Sequence, residues 1–393
     1  MHLERTGHRQ PPGRLEAAGR SLGERVLALR DRLLGSPRFH RWVSRMPVVN
    51  RLSRQRAGEL FDLCAGFVYS QVLYACVRGD LFGYLREGPR SVSMLAQRLE
   101  MPCASARRLL DAAVSLRLLE RRNGDRYGLG VLGASLNGNP GVLAMIDHHA
   151  LLYADLADPL ALLRDPRRDS RLRRYWAYAS ETDPSLLRDE QVAAYTALMS
   201  ASQHLVADLI LDAYPLARHR CLLDVGGGDG SFLLAVARRA PGLRLMLFDL
   251  PPVARRAQEQ FDAAALCGRA QAFGGSFLTD PLPEGADVVS LVRVLHDHDD
   301  VNALAILRAA RRALPPGGTI LLGEPMRGAQ STRTMSEAYF GMYLFAMGQG
   351  RARSPEEVAV LLAAAGFERV SAHATSMPLQ ASVLTARASV NIP

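Results

Sequence analysis

The chain has 393 residues, 48% of them hydrophobic and 22% charged, the balance of a globular protein of two or three domains and unlike that of a disordered or fibrous chain. All 48 residues of its lysine-plus-arginine total are arginine, which excludes every chemistry that needs an ammonium group: a Schiff-base lysine, a phosphate-loop GK[ST], a kinase strand lysine, a Ser-x-x-Lys nucleophile pair. The formal charge of +9 favours anionic partners, whether nucleic acid, lipid surface or small molecule.

Five cysteines, Cys64, Cys76, Cys103, Cys221 and Cys267, show neither a CxxC pair nor metal-ligand spacing. They read as thiols of a reducing compartment, with neither a disulfide framework nor a zinc site expected. The opening residues run from Met1-His2-Leu3-Glu4-Arg5 into Pro11, Pro12 and Gly13 without the apolar core of an export signal, so a cytoplasmic location is expected.

From 13 to 56 arginines punctuate a helical pattern in which Leu15, Leu22, Val26, Leu29 and Leu33 share a face. This basic amphipathic segment has two readings, a solvated face on a packing arm or a peripheral contact with an anionic membrane. The most apolar stretch, 60–77, approaches the length of a minimal membrane span but carries Asp62, Ser70 and Gln71 and stops at Arg78. It is expected to be a buried core or dimer-interface helix rather than an intramembrane one.

Between 91 and 129 the pattern predicts a helix over 91–99, a turn at Met101-Pro102, a helix over 104–116, and two short extended runs flanking Asn123-Gly124-Asp125. That is a winged-helix outline with a good hairpin signal. Arg107 and Arg108 on the second helix are of the type that meets phosphates, which makes a winged-helix DNA-binding regulator a reading from a different functional class.

A polar stretch over 164–174 and Pro184 precede a helix predicted over 189–211, where the domain boundary is placed. Beyond it, apolar runs at 221–225, 243–249, 270–273, 286–291, 319–323, 370–374 and 383–386 alternate with helical periods. This alternation predicts an α/β domain with a parallel sheet.

The strongest motif is Leu223-Asp224-Val225-Gly226-Gly227-Gly228-Asp229-Gly230-Ser231, directly after the first of these strands and before a helical run. Its glycines let the backbone turn sharply and approach a ligand at a helix N-terminus, where unpaired N–H groups favour anionic or polar groups. Counted from Gly226, the last position of a dinucleotide Gly-x-Gly-x-x-Gly fingerprint falls on Ser231, so Asp-x-Gly-x-Gly-x-Gly fits better. Asp249, ending the next strand, is placed to accept both hydroxyls of a ribose.

These residues resemble the class I S-adenosylmethionine-dependent methyltransferases over about 200–393. The resemblance implies a Rossmann-like methyltransferase domain whose cofactor-binding set is Asp224, Gly226, Gly228, Asp249, Ser276, Phe277 and Arg293. In it Gly226 and Gly228 line the methionine end, Asp249 holds the ribose, and Ser276-Phe277 flank the adenine.

After the fourth strand stands Arg293-Val294-Leu295-His296-Asp297-His298-Asp299-Asp300. His296, at the carboxyl end of a strand in an open α/β sheet, is placed to face a substrate beside the cofactor. An imidazole there suits proton removal from a hydroxyl held in line with a sulfonium methyl. Asp299 and Asp300 read as helix-capping residues.

The stretch resembles the His-Asp-Trp-[Ser/Asp]-Asp signature of the plant-type and bacterial small-molecule O-methyltransferases, with His298 in place of Trp. The resemblance makes His296 the general base and Glu324, in Leu322-Gly323-Glu324-Pro325, the carboxylate that orients it. A second family glutamate has Ala352 in its place, which leaves a dyad of His296 and Glu324.

The aromatic and methionine-rich run that includes Tyr339, Met342 and Tyr343 reads either as core or, by the same resemblance, as a wall of the acceptor pocket. His148 and His149, in an apolar helix, either approach the acceptor or are satisfied core groups. The stretches 61–73 and 339–350 look most like the bacterial carotenoid hydroxyl methyltransferases of the demethylspheroidene (hydroxyneurosporene) type, which implies a tertiary 1-hydroxyl on an acyclic carotenoid.

The organisation expected is a basic helical arm over 1–56, a helical and winged-helix dimerisation domain over 57–188, and an S-adenosylmethionine-binding domain over 189–393. The expected partners are a hydrophobic small-molecule acceptor and a second copy of the chain in a homodimer, with peripheral membrane contact and no nucleic acid. A polyketide or other aromatic hydroxyl is the alternative acceptor. A third reading is a protein that binds the cofactor but does other chemistry.

Overall fold

In the computed structural model, residues 22–39, 47–165, 168–176, 189–328, 334–378 and 380–390 are described. Leu15, Pro184 and the residues before Leu22 lie outside them. The chain divides into two compact units, Met1–Val72 and Leu73–Pro393.

In the first unit, Leu22–Leu34 is a helix with no buried residue, and Leu22, Val26, Leu29 and Leu33 stand exposed along it. The long helix Pro47–Arg78 begins in this unit. Its segment Gln55–Arg78 is long and apolar enough to cross a membrane by length and composition. Of the two expectations for 60–77, a buried core helix or a dimer-interface helix, the exposure of Leu60, Phe61, Leu63, Phe67 and Val68 rules out the first for the first half of the segment and leaves the second. Burial starts only near Cys76.

In the second unit, Ser91 caps the helix Val92–Arg98 by accepting the Met94 N–H. The helix Cys103–Ser115 follows, then β2 (Leu119–Arg122) and β3 (Arg126–Leu129). Strand β1 (Arg90–Ser91) pairs with β3, giving a three-stranded sheet in the order β1-β3-β2. The helices and hairpin expected from the pattern are therefore present. Gly124 and Asp125 at the hairpin turn both take positive φ, 75° and 55°, the backbone state that Gly and Asp tolerate best. Arg107 is occupied by Asp125 through two hydrogen bonds of 2.8 and 2.6 Å, which removes it from the role of a free phosphate reader.

The large sheet contains β4 (Cys221–Val225), β5 (Arg244–Asp249), β6 (Ala270–Gly274), β7 (Val288–Val292), β8 (Thr319–Glu324), β9 (Phe367–His373) and β10 (Ser382–Ala388) in the order β6-β5-β4-β7-β8-β10-β9. The expectation of a wholly parallel sheet is corrected at β10, which runs antiparallel to both β8 and β9. Residues 374–381, between β9 and β10, are too few for a crossover, so the two strands close as a hairpin.

Alternation along β4 sends Leu223 and Val225 to one face with Ile306 and Leu362. It sends Leu222 to the other, with Ile210, Phe232 and Phe261. Helices on both faces bury β4, β7 and β8 completely, which is why these read as continuous apolar runs. The parallel strands β4, β5, β7 and β8 all end at one edge, and the loops that follow them carry the chemistry.

Candidate active site

Gly226, Gly228 and Gly230 all have positive φ, at 70°, 61° and 84°. At Gly230 a Cβ would stand 2.6 Å from the Phe261 ring, so this glycine lets the helix Ser231–Arg239 pack. At Gly228 a Cβ would meet nothing within 4 Å, because that glycine faces an open cleft of about 950 Å³ including its mouth.

Gly226, Gly228, Asp249, Ser276, Phe277 and Arg293 all line this cleft. One Asp249 oxygen accepts the Gly228 N–H at 2.8 Å and the other accepts the Leu250 N–H at 2.7 Å. Burial nevertheless raises this carboxyl to about 6. Asp224 differs from the expectation: it is 1% exposed and does not line the cleft. Strand alternation turns it beneath the glycine turn, where its Oδ2 would be 2.8 Å from a Cβ at Gly227 and its Oδ1 accepts from Ser290 Oγ at 2.6 Å. Burial raises Asp224 to about 7.

Arg293 adopts φ 56° at the end of β7. Its guanidinium donates to Ser202 Oγ at 2.8 Å, Gln203 Oε1 at 2.7 Å and the Met199 carbonyl at 3.0 Å. It therefore fastens the helix Asp189–Ala213 over the cleft, and Met199, Ser200 and Gln203 of that helix complete the lining. The sequence carried no signal for these three residues, since they lie in an ordinary apolar helical period.

Beside the cleft, a single turn of 3-10 helix, Leu295–Asp297, holds His296. His296 Nδ1 donates to Glu324 Oε2 at 2.6 Å. The other Glu324 oxygen accepts the N–H groups of Val294 and Leu295 at 2.9 and 2.8 Å. The dyad is in fact joined by a second carboxylate, because Asp297 Oδ1 stands 3.1 Å from His296 Nε2. Burial works against the imidazolium, but Asp297 and Glu324 outweigh it and hold His296 above its ordinary value.

His298, in the place of Trp, lines the cleft edge-on to Phe277, with ring centres 5.5 Å apart. Burial lowers its affinity for a proton. Of the two residues expected to cap, Asp299 does so, accepting the Asn302 N–H at 2.8 Å. Asp300 instead binds Arg351 and Arg353. Arg353, buried and without any motif to announce it, also donates to the carbonyls of Leu295 and His298 at 2.6 and 2.8 Å. It locks the backbone on either side of His296.

Four of the five acceptor residues expected from the sequence, His148, His149, Tyr339 and Tyr343, form one cluster. His149 Nε2 is hydrogen-bonded to Tyr339 Oη at 2.6 Å and His148 Nε2 to Tyr343 Oη at 2.9 Å. Tyr343 Oη also accepts the Trp176 indole N–H at 3.0 Å. Burial pushes His148 down to about 4 and lowers His149 as well, so both imidazoles are neutral near pH 7. Met342 is half-buried on the same helix, Phe340–Met347. Met199 both packs against this cluster and lines the cleft, so the two share a wall.

The O-methyltransferase domain family matches residues 160–368, and the O-methyltransferase dimerisation domain matches 61–136. Demethylspheroidene O-methyltransferase of Cereibacter sphaeroides is 43% identical over 359 residues, 90% of this chain and 93% of its own length. Aclacinomycin 10-hydroxylase RdmB of Streptomyces purpurascens is 35% identical over 320 residues, 77% of this chain and 83% of its own. Human N-acetylserotonin methyltransferase, solved in complex with SAM, superposes with a TM-score of 0.70 at 24% identity, covering 85% of this chain and 98% of that one. The chain belongs to the O-methyltransferase family, with that family's dimerisation domain preceding its methyltransferase domain.

Proposed function

We infer that the protein methylates the tertiary 1-hydroxyl of an acyclic hydroxycarotenoid, using S-adenosylmethionine, with His296 as the general base. The observation that carries this reading is the His296–Glu324 pair, in which a buried carboxylate fixes one imidazole nitrogen. The carotenoid class rests on the likeness to the demethylspheroidene enzyme.

The cleft suits the cofactor: the open space over Gly228, the two-oxygen carboxylate of Asp249 and the Phe277 ring are of the kinds that receive a methionine chain, a ribose and an adenine. When bound, S-adenosylmethionine supplies an electrophilic methyl group on a sulfonium. Glu324 holds Nδ1 protonated, which makes Nε2, 3.1 Å from Asp297 Oδ1, the nitrogen that takes the acceptor's hydroxyl proton as the new C–O bond would form and the sulfonium S–CH3 bond break. Glu324 and Asp297 then stabilise the imidazolium. Tyr339, Met342 and Tyr343, with neutral His148 and His149, supply an apolar wall with adaptable shape for an elongated acceptor.

The division proposed is an arm over 1–56, a dimerisation domain over 57–188 and a cofactor domain over 189–393. The dimerisation family match supports a homodimer, whose second copy would cover the exposed apolar face of residues 60–68. Exposed Leu22, Val26, Leu29 and Leu33 on a helix that also carries Arg25, Arg30 and Arg32 support a cytoplasmic protein in peripheral contact with an anionic membrane. Binding to anionic liposomes at low salt tests that contact, and protein left entirely in the supernatant would refute it.

The reaction is tested by incubating the protein with labelled S-adenosylmethionine and a panel of detergent-dispersed 1-hydroxycarotenoids and phenols, with His296→Ala as control. Label on the tertiary hydroxyl, lost in the variant, is the expected result. Label on phenols alone would replace the acceptor assignment with an aromatic one. The likeness to a 10-hydroxylase favours one further reading, cofactor binding with other chemistry, which absence of any transfer would support.

A further inference from the structure

A groove lies on the large sheet at the side where β9 and β10 form their hairpin, bounded by residues outside the cofactor cleft. Alternation puts Arg369, Ser371 and His373 of β9 on one face, and Thr385 and Arg387 of β10 line the same groove. Arg218, from the segment that leads into β4, closes it with its guanidinium 4.4 Å over the Tyr214 ring. No Asp or Glu is among the lining residues.

Two of the three guanidiniums are held. Arg387 donates to Thr319 Oγ1 at 2.7 Å and to the Gly317 carbonyl at 3.2 Å. Arg369 sits at a break in the β9–β10 register with φ 54°, a strained backbone state for a non-glycine residue that is kept where a bulge re-aims a side chain. Other arginines of this chain meet carboxylates, as Arg239 meets Asp208 and Arg353 meets Asp300. The nearby Asp287 carboxylate is already engaged by His219 Nδ1 and by the N–H groups of Arg220 and Cys221.

We propose that this groove is a second binding site, for a phosphoryl group carried by a phosphate ester or diphosphate. Three guanidiniums that line one groove offer forked donors that match phosphate oxygens, and the Ser371 hydroxyl adds a donor beside them, while His373 Nε2 is paired with Thr385 Oγ1 at 2.8 Å. The site is separate from methyl transfer and recruits a phosphorylated ligand, either soluble or the headgroup of a lipid.

The test uses the full-length protein with its cofactor cleft saturated by S-adenosylhomocysteine, titrated calorimetrically with inorganic pyrophosphate at fixed ionic strength. Saturable binding at one site per chain is expected. Arg369→Gly removes a guanidinium while relieving the positive φ, so it keeps or raises the melting temperature and weakens binding roughly tenfold. Ser371→Glu, an exposed edge-strand change that places a carboxylate in the groove, weakens it at least as much. Absence of saturable binding, or equal binding in the parent and both variants, overturns the proposal.

Flotation with phosphatidylcholine vesicles containing phosphatidic acid separates the two sources. Flotation that pyrophosphate competes away and Arg369→Gly abolishes assigns a lipid headgroup. Pyrophosphate binding with flotation insensitive to both assigns a soluble phosphate ester.

Discussion

Glu324 divides its two oxygens between His296 and the backbone that carries His296: one lies 2.6 Å from Nδ1, the other accepts the N–H groups of Val294 and Leu295. The carboxylate is thus fixed before it acts, and the imidazole it fixes turns Nε2 towards Asp297 Oδ1, 3.1 Å away. Removing its charge while keeping its shape separates orientation from electrostatics. Glu324→Gln is expected to lower kcat by roughly 10²–10⁴-fold with little change in cofactor affinity, measured by steady-state kinetics beside S-adenosylhomocysteine titration. Unchanged kcat would show that the pair has no part in proton transfer.

The same pair sets the pH dependence. Because Asp297 and Glu324 hold His296 above its ordinary value of 6.5, a general base at this position, as proposed, stays protonated and inactive up to a higher pH than a free imidazole. The kcat profile should therefore rise with an apparent pKa above 6.5, and Glu324→Gln should move that limb to lower pH. For stability the sign is opposite to activity: the contribution of protonated His296 is complete below 6.5 and is lost as pH rises through the folded value.

His148 behaves in the reverse sense. Burial lowers it to about 4 from 6.5, so the unfolded chain binds a proton first, and stability falls as pH drops from 6.5 towards 4. The loss is bounded at about 3 kcal/mol by 1.36 kcal/mol per pKa unit. Denaturant titrations at pH 7.5 and 5 should show it, and His148→Phe should flatten the difference.

Tyr343→Phe removes the one oxygen that accepts the Trp176 indole N–H and is hydrogen-bonded to His148 Nε2, so two buried hydrogen bonds are lost together. Loss of about 1–3 kcal/mol of unfolding free energy is expected. Paired denaturation curves with unchanged slope would measure it, and a shift within error would place the network outside the packed core.

The glycine turn offers two alanine variants with different fates. Gly228→Ala puts its methyl into the open cleft, so cofactor affinity should fall at least tenfold while stability falls by about 1 kcal/mol for the positive φ. Gly230→Ala meets the Phe261 ring at 2.6 Å and should destabilise by about 1–3 kcal/mol. Calorimetric titration of S-adenosylmethionine together with thermal melting distinguishes the two.

Local pattern alone located the elements that matter most. The Asp-x-Gly-x-Gly-x-Gly turn lies between β4 and the helix Ser231–Arg239, because an apolar run, glycines and a helical period are all short-range signals. His296 follows the strand β7 and Glu324 ends β8, and both were nameable through the resemblance to the O-methyltransferase signature. Direction was harder: β10 has the same apolar composition in either orientation, and only the short link from β9 made it antiparallel.

What the sequence determined by itself is the kind of chemistry, since glycine spacing, strand ends and residue types are local properties of the chain. What only the tertiary structure decided is which groups meet. Asp224 turned under the glycine loop because strand alternation assigned it to the buried face. Asp297 became a second carboxylate on His296 because one 3-10 turn folds neighbours towards each other. Arg353, 58 residues beyond the Leu295 carbonyl it binds, came to lock the loop that carries His296 through a contact that no local pattern encodes. Pairings of that range depend on how whole strands and helices pack, and packing is a property of the folded chain.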